Sequence, residues 1–504
     1  MQKFLKTDIF IVLLIFLIFI SILPFFFLHQ GLLTVDTGRE FYLSQQVLNG
    51  GVLYKDIFNI YGPFSYQFNA LLFFIFGQSI NTLYIAGIIN SFIILTAIYL
   101  LAREFLNKSF SFMITVLTMF SLVFSTFLFN SNMTYSFGLM YALSALLLSI
   151  LFLIKYIESA KVNFVYLSCL FAGLSILNKY EFILYPILLI YTFGFIKPIG
   201  IKNAIKAVVC FISIPLISFS ILFFQGLTIE DIQTALNLMT IMAQSESMKL
   251  FYSIHGCFFE PAYYLKLILN NPLYTVLGLL PVINIILFLV FIKKIYKNKV
   301  LFVFCIASIL AAIKFTLFLE INHMGAFLFP LCFLTAFILS DKFSNIIRYL
   351  LLTCLILFFA YSDFDSLRLK THLLETPKGN IYTYYKDKMM MQIPIDYITE
   401  NSESNDKVLV VPEGAFINFA TDRKSDNTYH NLVPLYYKDT FGEKEVLKHF
   451  ETENIMKYII ILPLPTDAYG SPDFCSYAHN FCEMINTKYN LVKEEKNIKI
   501  FERK

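Results

Sequence analysis

The sequence is poor in charged residues. Asp, Glu, Lys and Arg make up 15% of its 504 residues, whereas hydrophobic residues make up 58%. A soluble protein normally carries about 25% charged residues. The composition therefore excludes a soluble enzyme and predicts a polytopic membrane protein. Trp is absent while Phe numbers 57, a bias that points to an AT-rich genome and to no particular mechanism.

Three further absences narrow the class of protein. No Walker loop and no G-x-G-x-x-G stretch is present, so nothing supports an ATP-driven transporter. No small-residue cleavage site follows the long apolar run from Ile9 to Leu28, so we expect a retained first membrane helix instead of a secretory signal. No internal repeat is evident, although repeats are common in secondary transporters.

Long apolar runs are abundant instead. About 20 apolar residues span the hydrocarbon core as a helix, and the runs of roughly this length predict about eleven transmembrane helices. They lie near residues 9–28, 80–102, 109–129, 135–154, 163–178, 182–196, 204–224, 273–292, 300–319, 325–340 and 346–361.

The distribution of Lys and Arg predicts the orientation. Basic clusters occupy alternate loops, and such loops normally face the cytoplasm. We therefore expect a cytoplasmic N-terminus, with the loops near 29–79, 130–135, 178–181, 225–270 and 320–325 on the outer face. The basic clusters are Lys3 and Lys6; Arg103 and Lys108; Lys155 and Lys161; Lys197, Lys202 and Lys206; Lys293, Lys294, Lys297 and Lys299; and Lys342 and Arg348.

The C-terminal part has the composition of a soluble domain. We expect a membrane domain at 1–362, followed at 363–504 by a small α/β domain outside the cytoplasm. Buried strands are predicted for KVLVVPEGAFINFAT and KYIIILPLP, a helix for KDTFGEKEVLKHFETENI and a closing strand for NIKIFER. Cys475 and Cys482 are seven positions apart in this domain. In an oxidising compartment they either pair or remain two free thiols.

The first outer loop, 29–79, carries unusual charge for a segment beside a membrane helix. Asp36, Arg39 and Glu40 follow the spacing i, i+3, i+4 and so share one face of a helix. A Gly-Gly pair ends this helix, and a Tyr-Gly-Pro turn opens a second one, Ser65–Phe76, which is too short to span the membrane. The pattern predicts two amphipathic helices at the membrane interface.

Several short motifs follow in order. An acidic residue lies near the start of the first loop helix, and the loop continues through GGVLYKDIFNIYGPF to an apolar run that closes in FFIFG. The next span ends in YLLAREF, and at 173–190 GLSILNKYEFILYPILLI places a Lys between one helix and an apolar run with Pro. Over residues 1–360 this pattern resembles the GT-C-fold glycosyltransferases, in the branch of protein O-mannosyltransferases and the lipid A aminoarabinose transferase.

The resemblance implies a function. Enzymes of this family take a sugar from a polyprenyl phosphate and pass it to an acceptor outside the cytoplasm. We therefore expect an inverting glycosyltransferase of the bacterial inner membrane, whose acceptor is a lipid, a glycan or a protein. A transporter or flippase of lipid-linked glycans is the alternative from another class, and a ligase or polymerase acting on lipid-diphosphate glycans is a third. No nucleic-acid partner is expected.

The implied chemistry needs a base and cations. A carboxylate has to accept the proton of the acceptor hydroxyl, and cationic groups have to stabilise the charge that grows on the phosphate. Asp36 matches the family's loop aspartate and is the expected base, the alternative being a plain helix cap. Arg39 and Lys179 are expected to hold the phosphate, the alternative being structural ion pairs with Glu40 or Glu181.

The remaining candidates lie on the first loop and around the apolar span near 300–319. This sequence departs from the aminoarabinose transferase pattern at one place, where in that pattern a basic residue precedes the turn that reads NIYGPF here. Lys55 is the candidate to substitute for that residue, and Tyr61 lies within the turn. Lys314 lies inside an apolar span, where ionisable residues are often functional, and Glu320 and His323 follow at its outer end.

We expect no metal site and no cofactor. His255, Glu260, Glu320 and His323 all fall on the predicted outer face, but their spacing is not that of metal ligands. The sequence alone is nevertheless compatible with a bound divalent metal ion.

Overall fold

The fold changes character near residue 370, where long helices give way to a small sheet with short helices. The computed structural model describes residues 2–31, 33–125, 130–255, 272–317, 321–453, 455–466 and 471–504. Side chains are described for these residues except 2–7, 252–255, 272–279, 313–317, 321–328 and 453.

The regular elements described in the membrane part are helices. Its helices are α1 Gln2–Phe26, α2 Asp36–Leu48, α3 Phe64–Phe76, α4 Ile80–Arg103, α5 Lys108–Thr118, α6 Phe137–Ser159, α7 Asn163–Asn178, α8 Tyr185–Tyr191, α9 Ile201–Phe224, α10 Ile229–Gln244, α11 Glu246–His255, α12 Pro272–Val290, α13 Ile292–Lys297, α14 Lys299–Leu317, α15 Ile321–Leu339 and α16 Asn345–Leu367. Wider π-helical turns extend α5 over Met119–Val123 and α8 over Thr192–Ile196.

Each apolar run that predicts a span coincides with a helix in the described part of the chain. Among the described residues, five helices are long and apolar enough to cross a membrane. They are Asp8–Phe26, Ile80–Arg103, Phe137–Ser159, Ile201–Phe224 and Asn345–Leu367. The prediction of several apolar membrane helices is thus confirmed, and the number of spans stays a prediction. α6 lies at the centre of the bundle and packs against α4, α7 and α14.

Ion pairs connect loops that the Lys and Arg distribution assigns to one face. Arg103 Nε lies 3.0 Å from Asp8 Oδ1, and Lys155 Nζ lies 2.6 Å from Glu104 Oε1. The grouping of these loops agrees with the predicted orientation. That this face is the cytoplasmic one stays a prediction.

A four-stranded mixed sheet, as far as the chain is described, organises the C-terminal part. Its strand order is β3-β4-β6-β5, with β3 parallel to β4 and the other pairs antiparallel. A separate hairpin, β1-β2, precedes it. Cys475 and Cys482 form a disulfide. The elements are β1 His372–Leu374, β2 Ile381–Thr383, α17 Tyr385–Asn401, β3 Val408–Val411, α18 Ala415–Thr421, α19 Glu443–Lys448, β4 Tyr458–Ile461, α20 Phe474–Tyr477, α21 His479–Lys488, β5 Tyr489–Glu495 and β6 Ile498–Arg503.

Two predicted elements of this part differ from the structure. The strand predicted for residues 407–421 ends at Val411, because Pro412 has no N–H with which to continue a ladder, and residues 415–421 form α18 instead. The helix predicted for 438–455 is divided at Gly442, whose φ of +83° breaks the helical path. The strands predicted in KYIIILPLP and NIKIFER are confirmed as β4 and β6.

Helix α2 lies between the membrane part and the C-terminal part. Its Phe41 ring is 5.0 Å from the ring of Phe419 on α18 and 6.3 Å from that of Phe73 on α3. Gly38 permits this approach, since a Cβ there would lie 2.6 Å from Phe416 Cβ. The two predicted loop helices are confirmed, but α2 is buried on its polar side as well, because α18 and the loops beside it cover that side.

Candidate active site

Asp36, Arg39 and a carboxylate from the C-terminal part meet at the start of α2. Asp36 is the first residue of the helix, and its Oδ1 accepts a hydrogen bond from Arg39 Nη2 one turn later. Arg39 Nη1 lies 3.2 Å from Glu413 Oε1. The side chain of Asp36 is 35% exposed, compared with 15% for Arg39 and 8% for Glu413. Asp36 is therefore the carboxylate of this trio that a substrate reaches most easily.

Glu40 lies deeper than Asp36 on the same helix. It is 4% exposed, and its Oε2 has no hydrogen-bond partner among the described residues. Burial raises the pKa of Glu40 to about 7, although Lys179 and Arg39 favour its charged form. Asp36 adds to the rise by like-charge repulsion. Both predicted phosphate-binding cations, Arg39 and Lys179, therefore act on Glu40 by their charge.

Lys179 directly follows α7 and lies against the NIYGPF turn of the first loop. Its Nζ is 3.9 Å from the centroid of the Tyr61 ring and 3.9 Å from Glu181 Oε1. A cation over an aromatic face is attracted by the ring quadrupole. Gly62 brings the turn this close, because a Cβ there would lie 1.6 Å from the Leu177 carbonyl oxygen. This contact with Glu181 is the ion pair expected if Lys179 has a structural role and does not bind phosphate.

The Tyr61 carbonyl is held by two other residues of the first loop. Tyr54 Oη donates to it at 2.6 Å, and Asn59 Nδ2 donates to it at 2.7 Å. Burial raises the pKa of Tyr61 above its ordinary value, so its hydroxyl keeps its proton. Fixed in this way, the Tyr61 ring sets the position of Lys179.

The other predicted site residues are Lys55, Lys314, Glu320 and His323. Lys55 is exposed, and its Nζ donates to the Gly226 carbonyl at 2.9 Å, which ties the first loop to the turn before α10. Glu320 lies outside the described residues, as do the side chains of Lys314 and His323. The helix backbone places Lys314 near the end of α14 and His323 near the start of α15.

Sequence reasoning missed the contribution of the C-terminal part. Glu413, His430 and Tyr436 all face Arg39. Burial raises the pKa of Glu413 to about 7 and lowers that of His430 to about 4, so His430 is neutral. The sequence feature that could have identified Glu413 is its position as the single carboxylate inside the apolar stretch VLVVPEGAFINFA.

Comparison with known proteins supports the resemblance. Residues 62–223 match the family model described as dolichyl-phosphate-mannose-protein mannosyltransferase. No curated protein matches the chain by sequence. The structure is similar to ArnT from Cupriavidus metallidurans bound to undecaprenyl phosphate, with TM-score 0.55, 11% identity and coverage of 99% of this chain and 98% of that one.

A second match is the Archaeoglobus fulgidus oligosaccharyltransferase AglB. Its complex with an inhibitory peptide and a dolichol-phosphate gives TM-score 0.52 and 13% identity, covering 90% of this chain and 69% of that one. Its apo form gives TM-score 0.53 and 12% identity over the same shares of 90% and 69%. At sequence identities this low, the structural similarity shows the fold alone. The chain has the GT-C fold of membrane glycosyltransferases, as the resemblance predicts, and is a multi-pass membrane protein.

Proposed function

We propose that the chain is a glycosyltransferase that moves a sugar from a polyprenyl-phosphate donor to an acceptor on the outer face of the inner membrane, with inversion. The observation that carries this proposal is the cluster of Asp36, Arg39, Glu40 and Lys179 on the first loop and the end of α7. The matched proteins support it, since ArnT is bound to undecaprenyl phosphate and AglB to a dolichol-phosphate.

Asp36 is the general base of this proposal. It is the most exposed carboxylate around Arg39, so an acceptor hydroxyl can approach it while Glu40 stays buried. Attack of the hydroxyl oxygen on the anomeric carbon breaks the bond to the phosphate, and the hydroxyl proton passes to Asp36. The phosphate leaves with the bonding electrons.

Arg39 and Lys179 stabilise the negative charge on the leaving phosphate. A guanidinium presents a planar fork to phosphate, whereas an ammonium acts as a compact charge. With two cations in the cluster, we propose that transfer needs no divalent metal. The same assay tests this point when it is run with and without a chelator.

The test is transfer from labelled polyprenyl-phosphate sugars in membranes that contain the full chain. We expect Asp36→Asn to lower the rate by about 10²–10⁴, the usual contribution of a general base. Asp56→Asn is the matched control, because Asp56 is an exposed carboxylate of the same loop that accepts a bond from the Val52 N–H, which an amide oxygen also accepts.

Each outcome of this test has a distinct meaning. Full activity in Asp36→Asn would show that Asp36 is not the general base. Loss of activity on chelation that a divalent ion restores would contradict the metal-independent mechanism. Movement of lipid-linked glycan across the membrane without cleavage of the sugar–phosphate bond would favour the transporter.

A further inference from the structure

Glu413 reaches the candidate active site from the other structural part of the chain. It lies in the turn that follows β3 and is buried. The turn is fixed from both sides. Leu432 N donates to the Pro412 carbonyl at 2.8 Å, and Gly414 lies so close to β3 that a Cβ there would be 2.3 Å from Val410 Cγ1. The carboxylate of Glu413 is therefore held by a rigid backbone.

The guanidinium of Arg39 is shared between two carboxylates. Asp36 binds Nη2, and Glu413 lies against Nη1. Because these nitrogens belong to one rigid plane, two anchors fix the orientation of that plane and the position of the remaining N–H groups. Asp36 alone would leave the guanidinium free to turn about its single partner.

Packing around Arg39 adds to this restraint. The cavity between Arg39, Tyr61, His430 and Tyr436 has a volume of ≈ 20 Å³. That is room for about one water molecule. Tyr436 and neutral His430 contribute no competing positive charge at neutral pH, so Glu413 is the group of the C-terminal part that acts on Arg39 by charge.

We propose that Glu413 is a positioning residue of the transfer site, which orients Arg39 toward the donor phosphate so that the C-terminal domain completes the site. The inference rests on the proposed function and deepens it. Glu413 touches neither the sugar nor the phosphate in this scheme. It acts through Arg39 alone, and that restriction makes the proposal testable.

The experiment is a double-mutant cycle on binding of undecaprenyl phosphate to the purified full chain. We expect Glu413→Gln to weaken binding by about tenfold or more, because Arg39 loses the charge of one of its two carboxylate partners in a buried ion pair. In an Arg39→Ala background, Glu413→Gln should have no further effect, because its only target is gone. Glu451→Gln, which breaks the Lys488 ion pair elsewhere in the C-terminal domain, should bind as wild type does.

Transfer kinetics supply the second readout. Glu413→Gln should raise KM for the donor and leave KM for the acceptor unchanged, a split that general loosening of the domain would not produce. Glu413→Asp keeps the charge and covers the case in which the amide variant misfolds, and its donor binding should lie between wild type and Glu413→Gln.

Three results would overturn the inference. Unchanged undecaprenyl phosphate binding in Glu413→Gln shows that Arg39 needs no second anchor. Equal weakening in the presence and absence of Arg39 shows that Glu413 acts elsewhere. Failure of the wild-type chain to bind undecaprenyl phosphate removes the proposed function together with the inference, whereas the first two results leave the proposed function standing.

Discussion

Glu40 is a buried carboxyl group in a site that has to accept a phosphate. Its pKa of about 7, raised chiefly by burial, leaves it partly protonated at neutral pH. A neutral Glu40 repels an incoming phosphate less than a carboxylate does, and its hydroxyl can donate a hydrogen bond. Arg39 and Lys179 then face fewer competing anions.

The raised pKa of Glu40 predicts how stability depends on pH. Since the folded form holds this proton more tightly than the unfolded form, whose ordinary pKa is 4.5, the stabilisation is complete below about pH 4.5 and is lost as pH rises through about 7. Glu40→Gln stays neutral throughout. Its melting temperature relative to wild type should therefore rise by a few degrees between pH 5 and pH 8.

Thermal unfolding in detergent measures this difference. The chain has no Trp, so a thiol-reactive dye that reports exposure of the buried Cys169, Cys305 and Cys332 is the suitable probe. Glu451→Gln, which removes a partly exposed carboxylate, should show a difference that is flat with pH. An equally flat difference for Glu40→Gln would mean that Glu40 is charged in the folded protein.

Residue spacing predicted only the local part of the site. Asp36 and Arg39 are one helical turn apart, so their contact follows from the sequence. The approach of Lys179 to Tyr61 depends on how α7 packs on the first loop, and no local pattern encodes it. Glu413 is distant from Arg39 in the sequence, so their contact could be found only once the C-terminal part was placed on α2.

At the scale of elements, boundaries marked by Gly and Pro were predicted well. The ends of α2 and α3 follow from Gly-Gly, Pro63 and Gly77, whose conformational demands are local. Helix α18 was missed because its residues, AFINFAT, are apolar and aromatic enough to favour a strand. Contact with Phe41 and Phe73 in the folded protein decides in favour of the helix.

The close packing of α2 on α18 makes Gly38 a sensitive position. A Cβ at Gly38 would lie 2.2 Å from the Leu33 carbonyl oxygen and 2.6 Å from Phe416 Cβ, so Gly38→Ala has to push these elements apart. We expect a loss of about 1–3 kcal/mol in stability and a fall in transfer activity, because the same displacement separates Arg39 from Glu413.

Melting temperature and transfer rate test this expectation together. Gly194→Ala is the control, since a Cβ at Gly194 meets nothing within 4 Å. If Gly38→Ala melts and transfers as Gly194→Ala does, then the contact between α2 and α18 is looser than the structure shows.

At the scale of the whole molecule, the first loop and the C-terminal part have to lie on the same side of the membrane. The ion pair of Arg39 with Glu413 and the ring contacts of α2 with α18 both require it. The Lys and Arg distribution assigns that side to the exterior. The Cys475–Cys482 disulfide agrees with this assignment, because disulfides persist in oxidising compartments and are rare in the cytosol.

This assignment predicts the redox state of the two cysteines in cells. When thiols are trapped by acid in intact cells that express the chain and counted after denaturation with a maleimide-linked polymer, the chain should show two more reactive thiols after reduction than before. The double variant Cys475→Ser, Cys482→Ser should show the same number in both samples. Equal counts for the wild type would place both cysteines in a reducing compartment, and with them, through the Arg39–Glu413 contact, the candidate active site. The donor sugar would then have to be consumed on the cytoplasmic face.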